Sequence, residues 1–116
     1  MEKEITVYHN PRCSKSRMAI QYLDEKEQDY AIVEYLKDLP SHNELKAVLK
    51  QLDISAEELL RKGEADYKEN FKGKTLSEDE WIDAMIKFPK LIERPIVIKS
   101  NKAVIARPTE RIDELF

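Results

Sequence analysis

The chain has a single cysteine, Cys13, among its 116 residues. One cysteine cannot close an internal disulfide, which fits a reducing compartment. It also excludes an internal CxxC couple and any cysteine-rich zinc site. No metal is expected. Glycine is nearly as scarce, with two residues, which suits a helix-rich globule. No stretch approaches the length of a transmembrane helix, and no apolar segment follows the N-terminal Met-Glu-Lys-Glu. A cytoplasmic protein without membrane contact is therefore expected. Cations do not dominate: the net charge is −3, so no global basic field argues for nucleic acid, and any anion binding must be local. Repeats, low-complexity tracts and linkers are missing too.

What is there is 41% hydrophobic and 37% charged. The length fits one domain, 1–116, able to bury a core without disulfides or metals.

The scarce residues concentrate in one stretch. His9-Asn10-Pro11-Arg12-Cys13-Ser14-Lys15-Ser16-Arg17 holds the only cysteine and one of two histidines. Before it, Ile5-Thr6-Val7-Tyr8 reads as a strand. After it, Met18, Ala19, Tyr22 and Leu23 recur at helical spacing. Cys13 thus falls in a strand-to-helix turn. Pro11 cannot extend a central strand, and Ser14 is the candidate N-cap. The first N–H groups of a helix lack internal partners and carry partial positive charge. They lower a thiol pKa, and Arg12, Lys15, Arg17 and a protonated His9 push the same way. At a pKa of about 7, half the population is thiolate at neutral pH. The same groups hold an anion beside the sulfur. A lone cysteine is more often a buried small hydrophobe, but Arg, Lys and two Ser are poor company for a core residue.

Along the chain, the first helix runs from about Ser14 to Glu27. Tyr30 to Tyr35 is a second strand, which completes a right-handed parallel βαβ unit. Residues 36–90 read as helical, punctuated by capping boxes at Ser41/Glu44, Ser55/Glu58 and Ser77/Glu80. Leu45, Val48, Leu49 and Leu52 mark one apolar face; Trp81, Ile82, Met85 and Ile86 mark another. The polar segment from Lys62 to Thr75 is a loop with a short turn near Tyr67 to Phe71. Trp81 and the methionines are assigned to the core, and His42 to a solvated first turn. Arg94 to Ile98 and Ala103 to Ala106 form a hairpin around Lys99 to Lys102. A last helix follows, with Thr109 as its cap. A parallel half and a hairpin half sharing one sheet give an α/β, thioredoxin-like fold: a mixed four-stranded sheet with a helical insertion, about 36–90, between the βαβ and ββα halves.

The His-Asn-Pro-x-Cys motif after a strand resembles the glutaredoxin-dependent arsenate reductases and their relatives. Three further segments carry the resemblance, in order: Leu59-Leu60-Arg61-Lys62, Arg94-Pro95-Ile96-Val97 and Arg107-Pro108. It extends over essentially the whole chain, from Ile5 to the last helix. The resemblance implies that Cys13 is the nucleophile, that His9 helps keep it ionised, and that Arg61, Arg94 and Arg107 bind the oxyanion. It also implies a thioredoxin-like fold and a cis bond at Arg94–Pro95. Each arginine offers a planar fork of donors suited to a tetrahedral oxyanion. Taken alone, Arg61 reads as a solvated charge at a helix C-terminus.

The expected activity is a thiol-dependent reduction of arsenate by a monomer with no bound cofactor. The cysteine count requires the resolving thiol to come from outside, and the resemblance identifies that reductant as glutathione with glutaredoxin. The alternatives are another oxyanion substrate, or a regulator similar to the Spx-type proteins that bind RNA polymerase. Many of those carry a CxxC switch, and here Ser16 stands where its second cysteine would be.

Overall fold

The computed structural model describes residues 4–116. It divides into two compact units, one made of Met1–Asp38 with Arg94–Phe116 and the other of Leu39–Glu93.

The first unit is built on four strands: β1 (Ile5–Tyr8), β2 (Ala31–Val33), β3 (Ile96–Lys99) and β4 (Lys102–Ile105). Their spatial order is β2-β1-β3-β4. β1 runs parallel to β2 and antiparallel to β3, and β3 is antiparallel to β4. The register sets Val7 opposite Val97 and Val97 opposite Val104. Side chains alternate faces along a strand, so these three valines form one row on one face. Ala19 and Leu23 of α1 (Ser14–Glu25) and Ile112 and Leu115 of the terminal helix pack with that row into the unit's core. Tyr22 Oη donates to Asp113 Oδ1 at 2.8 Å, which links α1 to the terminal helix at the rim of that core.

Several local expectations shift. β2 is three residues long, because Glu34 already begins a turn: its carbonyl accepts from Lys37 N at 2.9 Å and Asp38 N at 2.8 Å. β3 starts at Ile96 rather than Arg94, since Pro95 has no N–H to give a ladder. Both Arg94–Pro95 and Arg107–Pro108 are cis; the resemblance implied only the first. The terminal helix is a 3-10 helix over Thr109–Leu115, with Pro108 rather than Thr109 at its cap. In α1 the buried stripe is Ser16, Ala19 and Leu23, while Met18 is exposed. Ser100 takes the positive φ of 56° that turns the β3–β4 hairpin.

The second unit holds α2 (His42–Leu52), α3 (Ala56–Leu59), α4 (Ala65–Asn70) and α5 (Glu78–Lys87), followed by a 3-10 turn at Pro89–Leu91. Ser41 and Ser77 form complete capping boxes with Glu44 and Glu80. At α3 only half of the box is present: Ser55 accepts from Glu58 N at 3.4 Å. Ala56 N instead donates to the carboxylate of Glu78, at 3.0 and 3.1 Å to its two oxygens. Leu45, Val48, Leu49, Trp81, Ile82 and Met85 are buried, as their spacing predicts. His42 is not a freely solvated side chain. Its Nδ1 lies 2.7 Å from Asp83 Oδ1 and its Nε2 lies 3.2 Å from Asp79 Oδ1, so it ties α2 to α5.

The described structure is the mixed four-stranded thioredoxin-like sheet with an inserted helical region. No helix among the described residues is long and apolar enough to cross a membrane.

Candidate active site

Cys13 is the N-cap of α1 itself, with extended φ −96° and ψ 122°; Ser14 is the first helical residue. A short polar side chain at the N-cap faces the N–H groups two and three residues on. In α1 those belong to Lys15 and Ser16. The sulfur stands where an oxygen acceptor usually stands. These donors favour the thiolate.

The turn before the helix is pinned at three points. Cys13 N donates to Asn10 O at 2.9 Å. Arg12 N donates to Asn10 Oδ1 at 3.0 Å, and Arg17 Nη1 donates to Pro11 O at 2.9 Å. Arg17 therefore braces the loop rather than facing the sulfur.

Two arginines reach the thiol from the hairpin half. Arg107 Nη2 lies 3.8 Å from Cys13 Sγ, and its Nε donates to Arg94 O at 2.7 Å. Burial pushes the Cys13 thiol up, but the Ser16 N–H, the Arg94 guanidinium and the Lys15 N–H outweigh it and bring the pKa down to about 7. The residues acting on the sulfur are thus backbone donors of α1 and an arginine distant in sequence. Ser16 was not singled out for this role in the sequence, although its place three residues after the cysteine is that of N3 in a cap. Its hydroxyl is buried and has no hydrogen-bond partner among the described residues.

His9 is 9% exposed, and its Nδ1 has no hydrogen-bond partner among the described residues. Burial lowers its pKa, with Glu34 opposing and Arg17 assisting that shift. The ring is therefore neutral at pH 7 and adds no positive charge near the thiol.

Arg61 belongs to the other unit and lies just past α3. Its N donates to Leu91 O at 2.8 Å. Its guanidinium is shared by two carboxylates, with Nη1 at 3.3 Å from Glu64 Oε1 and Nε at 3.4 Å from Glu93 Oε1. Within the first unit Arg94 and Arg107 stand at the sulfur; within the second, Arg61 is held in an ion-paired cluster. No group of three or more His, Cys, Asp or Glu side chains that could hold a metal ion occurs among the described residues.

A thioredoxin-like sheet that presents one thiol of lowered pKa at a helix start, beside paired arginines, defines an arsenate-reductase-like protein of the thiol oxidoreductase class. The ArsC family model matches residues 8–115, and the chain belongs to that family. An uncharacterised Escherichia coli protein, YfgD, is 44% identical, with 99% of this chain and 98% of that protein covered. The arsenate reductase of Neisseria meningitidis serogroup A is 39% identical over 97% of this chain and 98% of its own. Among solved structures, the arsenate reductase from Vibrio cholerae aligns over the whole of both chains with a TM-score of 0.93 and 37% identity.

Proposed function

We propose that the protein reduces arsenate, with Cys13 as the nucleophile and external thiols as the electron source. The observation that carries this reading is the Cys13 thiol, with a pKa of about 7, set beside the guanidinium of Arg107. At neutral pH such a thiol is about half ionised. It is positioned to attack a tetrahedral oxyanion whose charge the arginine forks neutralise.

The overall balance is HAsO₄²⁻ + 2 RSH → HAsO₃²⁻ + RSSR + H₂O. Arsenic gains two electrons and two thiols lose one each. Cys13 forms a sulfur–arsenic bond and one arsenate oxygen leaves as water. An outside thiol then makes a sulfur–sulfur bond to the enzyme, and a second outside thiol releases Cys13. Because the chain has no second cysteine, both must come from other molecules, and glutathione followed by glutaredoxin fits that need. Arg94 and Arg107 hold the oxyanion, and Arg61 supplies the third guanidinium. His9, a buried ring of lowered pKa beside the Cys13 turn, helps keep the thiolate ionised. No bound cofactor takes part.

The test is a glutaredoxin-coupled arsenate reduction assay on the wild type and on Cys13→Ser. Turnover in the wild type and none in the variant is expected. Substantial turnover by Cys13→Ser would overturn the mechanism. Absence of turnover in a wild type whose thiol still alkylates rapidly would overturn arsenate as substrate.

A further inference from the structure

In the second unit the chain leaving α3 lies antiparallel to the segment after the Pro89–Leu91 turn. Leu60 pairs with Ile92. Arg61 N donates to Leu91 O at 2.8 Å, and Glu93 N donates to Leu59 O at 3.0 Å. Leu60 and Ile92 are buried. Side chains alternate along extended chain, so Arg61 and Glu93 emerge on the opposite face. Glu64 N donates to Arg61 O at 3.1 Å, and that turn brings the Glu64 carboxylate back to the Arg61 guanidinium. Leu60, Arg61, Lys62, Gly63, Glu64 and Glu93 line a depression of about 340 Å³.

The backbone of Arg61 is fixed by these bonds, but its guanidinium is held loosely. Nη1 meets one oxygen of Glu64 at 3.3 Å, and Nε meets one oxygen of Glu93 at 3.4 Å. The strongest arginine–carboxylate pairs are bidentate, with contacts of about 2.7–2.9 Å. Neither pair here has that form. All three side chains are partly exposed, and ion pairs open to water contribute little to stability. Charge points the same way. Two carboxylates outnumber the one guanidinium, and Lys62 at the rim is turned to Glu57 Oε2 at 3.2 Å. An anion that comes to Arg61 must first displace carboxylates.

We infer that Glu64 and Glu93 set the affinity of the oxyanion site by competing with the anion for Arg61. The inference rests on the reading above, in which Arg61 supplies the third guanidinium. With no anion bound, the two carboxylates neutralise that guanidinium. A tetrahedral dianion brings two charges and a geometry that suits the fork, and it takes their place while the glutamate side chains turn out to water. The cost of opening is the same for every anion. Binding of substrate and of unreactive oxyanions is weakened alike, and the returning carboxylates hasten release. Glu64 and Glu93 act through Arg61 and are positioning residues.

Glu64→Gln/Glu93→Gln keeps the shape of both side chains and removes their charge. In the full chain, the double variant should lower KM for arsenate about tenfold, since charge-assisted contacts no longer have to be broken. The inhibition constant of inorganic phosphate should fall by the same factor, with kcat and the Cys13 alkylation rate unchanged. The control is Glu69→Gln, an equal change of charge on an exposed residue of α4, which should leave KM at the wild-type value. Should the double variant fail to fold, Glu64→Gln alone carries the test, with an expected fall in KM of about threefold.

A KM that is unchanged or raised, with or without a lower Tm, would overturn the inference and leave the two pairs a structural tie. So would an equal fall in Glu69→Gln. A second readout needs no turnover: the Arg61 Nε–Hε signal in nitrogen-15 NMR, titrated with inorganic phosphate, should respond at about tenfold lower concentration in the double variant. If the wild type reduces no arsenate while that signal behaves so, the reductase reading fails and the competition stands. If reduction proceeds and the double variant keeps the wild-type KM, the competition fails and the reductase reading stands.

Discussion

Arg107 grips the backbone of Arg94: its Nε donates to the Arg94 carbonyl at 2.7 Å while its Nη2 stands 3.8 Å from Cys13 Sγ. One guanidinium thus fixes the strand entry that carries the other and faces the sulfur at the same time. Only a planar fork does both, since a lysine ammonium is a single point of charge. The two arginines nevertheless act differently on the thiol. Arg94 lowers its pKa through a hydrogen bond and through charge, and Arg107 is proposed to meet the substrate.

That division gives the first prediction. Arg94→Gln should raise the Cys13 pKa above 7, read from ultraviolet thiolate absorbance against pH. Arg107→Lys should leave it near 7 but raise KM for arsenate by about tenfold or more, one charge-assisted bond being worth about 1.5–3 kcal/mol. Equal pKa shifts in both variants would contradict the assignment.

The second concerns the pH profile of the thiol. Alkylation by iodoacetamide should rise with pH and reach half its plateau at about 7. An unfolded cysteine titrates near about 8.5, so the folded pKa is the lower one. The stability this group contributes is therefore present above the unfolded pKa and is lost as pH falls from there through 7. Wild-type melts should show that dependence, and Cys13→Ser melts should lack it. A half-plateau near 8.5 would mean that the helix start and Arg94 do not act on the sulfur.

Cys13→Ser should abolish arsenate reduction and change folding stability by less than about 1 kcal/mol, because serine is itself a favoured N-cap. Calorimetry beside the coupled assay measures both. A large loss of stability would show that the thiol is held chiefly as packing.

In the helical unit, Arg61 is shared between Glu64 and Glu93. Arg61→Lys keeps the charge but not the planar fork that meets both carboxylates, and on which the proposed oxyanion role rests. Turnover should fall by about tenfold or more, with the Cys13 alkylation rate unchanged. A variant that turns over arsenate at the wild-type rate would remove Arg61 from the catalytic set.

The last prediction concerns His42. The Asp83 carboxylate, against a smaller opposing pull from desolvation and with further help from Asp79, raises its pKa. Lys46, 3.8 Å from Asp79, is the other charge facing this cluster. A raised folded pKa means the contribution is fully present below the unfolded value of about 6.5 and is lost as pH rises through the folded pKa. His42→Gln should lower Tm more at pH 6 than at pH 9. By proton NMR, Asp83→Asn should lower the His42 pKa more than Asp79→Asn does. A His42 that titrates like an unperturbed imidazole would show that the bridge does not form in solution.

Much of this protein was legible in the chain because its signals are local. Ser41 and Ser77 cap their helices through residues three positions away. Trp81, Ile82 and Met85 bury as a helical stripe requires, and the order of apolar runs together with the family resemblance pointed to the mixed sheet. Cys13 at a helix start followed from the strand before it and the periodic residues after it. The tertiary structure decided what depends on neighbours distant in sequence. The cation that lowers the thiol pKa is Arg94, brought beside Cys13 by the antiparallel pairing of β1 with β3, whereas the nearby Arg17 turned back to brace Pro11. The His9 pKa fell because folding buried the ring. His42 gained two carboxylate partners because α2 and α5 pack together. Charge and ionisation at a site are set by distance in space and by desolvation, and a sequence specifies neither until the chain has closed on itself.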